Sequence, residues 1–97
     1  MRSRHIPVRH RRSAMRRAAG HCQVRWSMCA HGTRLEYHHR RTFAEGGTHR
    51  SANLVVACRP CHEAIHYAHS GQALQDGLLV RHRNPWKRWV AYWERTE

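Results

Sequence analysis

EYHHRRTFAEGGTHRSANLVVACRPCHEAIH, residues 36–66, is the stretch on which the fold turns. Arg34 to Tyr37 reads as a short strand leading into His38-His39, and Arg40 to Arg50 as a loop around Gly46-Gly47. Asn53 then precedes Leu54-Val55-Val56-Ala57, a β-branched apolar run that reads as a buried strand. Pro60 is tolerated in a first helical turn, so residues 60–69 fit a helix ending near Gly71. On such a helix His62 and His66, four residues apart, share a face and can point at one ion. Two strands and a helix, with ligands from each, make a metal cup.

Upstream of this stretch lie Cys22 and Cys29, and within it Cys58 and Cys61, four cysteines in a chain of 97 residues. An even number allows two disulfides or one zinc site. The start of the chain is basic and has no apolar stretch, so a secretory signal is not expected and a reducing, cytoplasmic setting is. The C-x2-C pair Cys58/Cys61 converges two thiolates on one tetrahedral ion, which favours zinc. Gly32-Thr33 marks a turn after Cys29.

Further out, residues 1–20 are rich in Arg, and Arg9 to Ala19 reads as a short helix with Ala14, Met15, Ala18 and Ala19 on one face and Gly20 as C-cap. Its Arg-rich, acid-free character also resembles an organellar transit peptide, but a DNA-gripping arm suits the rest of the chain better. Downstream, Gly77-Leu78-Leu79-Val80 reads as a short strand or extended segment. Asn84-Pro85 starts a helix on which Trp86, Trp89 and Trp93 recur at helical spacing, more simply as a core-packing face than as a base-stacking one.

Charge restricts the partners. Lys and Arg number 18 against 6 Asp and Glu, a formal +12, and no acidic residue precedes Glu36. So unbalanced a charge repels itself unless a polyanion neutralises it, and nucleic acid is the leading candidate. The longest apolar run, Leu54 to Cys58, is far short of the ~20 residues of a membrane span, so no membrane partner is expected.

Taken together, Cys22 to His66 resembles the HNH endonuclease family, and in particular its small zinc-knuckle proteins of bacteria and phages. The resemblance implies an α+β fold: a ββα-metal core stapled by a four-cysteine zinc knuckle, with a flanking N-terminal basic helix or arm and a C-terminal helix. Residues 1–20 would be the arm, 21–70 the nuclease domain and 71–97 an extension. His39 would be the general base and Asn53 the residue that braces its loop. His38, His62 and His66 would hold one catalytic divalent ion (Mg2+, Mn2+, Ni2+ or Zn2+). Cys22, Cys29, Cys58 and Cys61 would hold a structural Zn2+, although C-x6-C is wider than the common knuckle. Arg40, Arg41, Arg50 and Arg59 flank the site and are expected on phosphates.

The expected function is therefore metal-dependent hydrolysis of double-stranded DNA. One site per chain allows nicking, or double-strand cleavage by repeated encounters or a dimer, and the expected state is a monomer or weak dimer. Work beside a phage terminase in DNA packaging is a further implication of the resemblance. The competing reading is a zinc-stapled DNA-binding module without turnover. Among the 11 histidines, His21, His31 and His49 could compete for metal, and Glu36 and Glu63 have no assigned role.

Overall fold

The computed structural model describes residues 5–80, and the Trp86/Trp89/Trp93 helix expected from sequence lies outside them. At its centre is a two-stranded antiparallel sheet, β1 (Leu35–His39) and β2 (Leu54–Cys58), in the register Leu35↔Cys58 through His39↔Leu54. Helix α1 (Val8–Ala18) precedes it; α2 (Arg59–His66) and α3 (Ser70–Asp76) follow. The β1-β2-α2 succession is the ββα unit expected, within a small α+β fold.

Every residue of β2 is buried, because both faces of the hairpin are covered. Side chains alternate across a strand. Leu54 and Val56 pack with Ala14 and Ala18 of α1. Val55 and Ala57 pack with Ile65 of α2, Ala73 of α3, Leu78 and Leu79. Full burial of one such aliphatic side chain stabilises by about 1.5–3 kcal/mol, so these two clusters are what hold so short a sheet in place.

The chain between α1 and β1 wraps into a knuckle. Cys22 N–H donates to His31 O at 2.9 Å, closing it upon itself. Gln23 then fastens it to the sheet in both directions. Its N–H donates to Val56 O at 2.8 Å, and its side-chain oxygen accepts from Val56 N–H at 2.9 Å. The hairpin loop is equally tight at Gly47, where an added Cβ would lie 1.8 Å from Arg41 O. Gly47 is thus needed for close backbone approach, beyond the flexibility expected of a loop glycine.

Three local expectations change. The left-handed residue ending α1 is Ala19 (φ 54°), one position before Gly20, which is itself at φ 74°. The single helix over 60–69 is two: α2 stops at His66, the chain bends at Tyr67, and Gly71 lies inside α3. Gly77 (φ 79°) caps α3. Gly77–Val80 is not a strand. It is buried coil whose Val80 N–H donates to Arg40 O at 2.9 Å, using the backbone group left open where β1 ends.

Candidate functional site

The hairpin register sends consecutive histidines opposite ways. His38 stands across from Val55, on the face covered by α2, and His39 across from Leu54, on the face covered by α1. His38 meets His62 and His66, which α2 presents one turn apart. The three rings form a near-equilateral triangle with centroids 5.0, 5.1 and 5.2 Å apart. Ligand nitrogens from the three lie within 4.8 Å of one another.

The hydrogen bonds of the outer nitrogens leave lone pairs for an ion. His38 Nε2–H donates to Leu78 O at 2.6 Å, so its lone pair is on Nδ1. His62 Nδ1–H donates to Glu36 Oε1 at 2.8 Å, so its lone pair is on Nε2. Such outer partners fix tautomer and ring orientation in metal-bound histidines. Burial, with His62, His66 and His39 adding to it, pushes His38 down to about 3, against the raising effect of its bond to Leu78. A neutral imidazole is the form that binds metal, so this donor set fits a divalent ion of the imidazole-accepting kind. Glu36, which has no role on sequence grounds, is a partner that sequence could have suggested: it lies two residues before His38, on the same face of β1.

The four cysteines also converge. Their sulfurs lie within 4.8 Å of one another, and Cys29 and Cys58 Sγ are 3.9 Å apart. Zinc–sulfur bonds of about 2.3 Å in a tetrahedron require sulfurs roughly 3.8 Å apart, so the cluster has the size of a zinc site. Ala30 N–H points at Cys58 Sγ and His31 N–H at Cys29 Sγ, each at 3.3 Å. For Cys58 burial pushes the thiol up, but N–H donors from Ala30 and Cys61 and the neighbouring thiols outweigh it and the net shift is downward. Burial raises Cys29 and Cys61. One thiolate is favoured and its neighbours are not, a charge pattern that a shared cation would relieve. The wide C-x6-C spacing is accommodated by the turn in which Cys29 N–H donates to Trp26 O at 2.9 Å.

Asn53 sits 5% exposed between the two ends of the hairpin loop. Its Oδ1 accepts from Arg41 N–H at 2.9 Å, and its Nδ2 donates to Arg41 O at 3.0 Å and Thr48 O at 2.9 Å. Arg40 N–H donates to Asn53 O at 2.8 Å. The residue after His39 is thereby clamped to the start of β2. His39 Nε2 lies 3.0 Å from His49 Nδ1, and His49 stacks on Phe43 with centroids 4.8 Å apart at 8°. His49 is thus a neighbour of His39, where sequence raised it only as a competing ligand. Among the described residues the metal-capable groupings are the four-cysteine and three-histidine sets, and His21, His31 and His49 join neither.

The arginines divide. Arg40, expected on a phosphate, is 0% exposed and its Nε donates to Gly77 O at 2.6 Å, so it holds the strand end. Arg59 is exposed but faces Glu63 at 3.0 Å and Glu36 at 3.7 Å. Arg50 is exposed beside the Asn53 turn, and Arg41 is half-buried at the loop base.

Residues 22–68 match the family model described as HNH endonuclease. Neither the curated proteins nor the solved structures return a match to the chain. No helix among the described residues is long and apolar enough to cross a membrane.

Proposed function

We propose, from the match of residues 22–68 to the HNH endonuclease family model, that the protein is a metal-dependent endonuclease that hydrolyses phosphodiester bonds of double-stranded DNA. The observation that supports this most is the triangle of His38, His62 and His66, beside a strand-end His39 whose loop is braced by Asn53. His38, His62 and His66 would hold a divalent ion, which would supply Lewis acidity for phosphodiester hydrolysis. His39 takes the proton of the attacking water, a role suited to an imidazole near neutral pH. Asn53 keeps His39 and the start of β2 in one geometry. Arg41 and Arg50 contact flanking phosphates, with Arg59 available once its carboxylate partners yield. Cys22, Cys29, Cys58 and Cys61 would hold a zinc ion that staples the knuckle to α2.

A zinc-stapled DNA-binding module without turnover has one observation in its favour: His39 is already engaged by His49. The deciding experiment is cleavage of supercoiled plasmid with added Mg2+, Mn2+, Ni2+ or Zn2+, with His39→Ala alongside. Metal-dependent nicking or linearisation that the variant lacks is expected. Binding without cutting under every metal would transfer the protein to the second reading. Nicking by a monomer is the simplest product of one site, and work beside a phage terminase is the more specific setting; co-purification with a terminase subunit tests the latter.

A further inference from the structure

Helix α1 precedes the family-matched segment, yet it is locked to the site. One guanidinium nitrogen of Arg17 donates to Ser51 O at 3.1 Å and also to Leu54 O, tying the helix to the Asn53 turn and the start of β2. Ala14 and Ala18 lie against the sheet face on which His39 stands. Near the helix start, burial lowers His10, and the positive charges of Arg9 and Arg50 together with His49 add to it.

Arg9, Arg12 and Arg16 occupy a different face. They are all exposed, and their spacing of three and four residues puts them in one stripe away from the buried Ala14 and Ala18. Among the described residues no carboxylate pairs with any of them. The first turn of α1 has no acidic residue to meet the positive end of the helix dipole. Like charges at these spacings destabilise an isolated helix, so the stripe weakens the helix that carries it. A polyanion would remove that penalty. Seven residues at about 1.5 Å each span roughly 10 Å, the axial length over which one DNA strand carries about three phosphates.

We propose that Arg9, Arg12 and Arg16 form a phosphate rail that grips duplex DNA beside the cut. The proposal rests on DNA being the partner of the site and adds where that partner lies. Because Arg17 fixes α1 to the Asn53 turn, rail and site hold the duplex as one rigid unit.

The test is fluorescence anisotropy of a labelled duplex across a salt series, with zinc retained and His39→Ala present in every protein so that nothing is cut. The triple Arg→Gln variant should bind at least about tenfold more weakly, and its slope of log K against log salt should be shallower by about 2.7, three contacts at about 0.9 each. Arg12→Gln alone should lower the slope by about 0.9, a reading that survives if the triple variant folds poorly. The triple Arg→Lys variant should keep the slope. An unchanged slope in the Gln variants overturns the rail, as does tighter, rail-dependent binding to duplex RNA or anionic vesicles than to DNA. Cleavage by the His39-containing protein separates the two readings. Slope-sensitive binding without cutting overturns the nuclease and leaves the rail. Cutting with an insensitive slope overturns the rail alone.

Discussion

Asn53 uses an acceptor and two donor hydrogens on one loop, and a carboxylate of the same shape could make only the first of those bonds. Asn53→Asp should therefore place a negative oxygen against Arg41 O and Thr48 O. It should cost about 2 kcal/mol or more, read as a lower melting temperature, with cleavage lost. A melting curve like that of the natural protein would show that the clamp is dispensable. Glu36→Ala removes the acceptor of His62 Nδ1–H. Loss of such a partner weakens metal binding by about 10–100-fold, and titration calorimetry of the purified protein should show that loss with the fold intact. Unchanged affinity would mean that His62 is oriented by its helix alone. His39→Ala should lower the cleavage rate by a factor of about 10²–10⁴ while duplex binding is kept; undiminished cutting would remove His39 from the mechanism.

Elements are legible in the sequence where local chemistry and tertiary packing agree. β2 follows from its β-branched run, and α2 from Pro60 and the His62/His66 spacing, since in each the buried face is written into consecutive side chains. The end of α2 is not legible: nothing around Tyr67 signals a break, and Gly71 suggests a boundary that Gly77 in fact supplies. Arg40 carries no sequence signal of its burial, which depends on Gly77, a residue 37 positions away. His49 escapes a sequence reading for the same reason, as a partner in a loop contact with no fixed spacing, whereas strand alternation two residues before His38 points to Glu36. The three-histidine and four-cysteine groupings are legible because metal ligation restricts residue types so strongly. At the end of α1, Ala19 adopts φ 54°, which for a residue with a Cβ costs about 1 kcal/mol. Ala19→Gly should raise the melting temperature, and a lowered one would mean that the alanine methyl makes a compensating contact. Gly47→Ala has the opposite expectation. Its Cβ must displace Arg41 O, costing about 3 kcal/mol and loosening the loop that bears His49.

Over the described residues as a body, the thiol cluster and the apolar core are one structure. The knuckle packs Cys22, Cys58 and Cys61 into the larger apolar cluster together with Val55, Ile65 and Leu79. Withdrawing the zinc proposed for this cluster should thus loosen the hydrophobic interior along with the loop, because structural metal binding contributes folding free energy. Far-UV circular dichroism under strong chelation should show loss of helix, recovered on adding zinc; an unchanged spectrum would show that the thiol cluster and its packing suffice without metal.

The carbonyl of Leu78 has a practical consequence for moving this unit into other proteins. His38 is oriented from a residue ten positions beyond the last one matched to the family, and Arg40 is anchored there as well. A graft cut to the recognisable segment would carry all seven side chains of the two metal-capable groupings and still deliver His38 in either tautomer. The smallest portable cassette runs from the start of α1 to Val80, and its right-hand border is set by a main-chain oxygen that no comparison of side-chain identities would reveal.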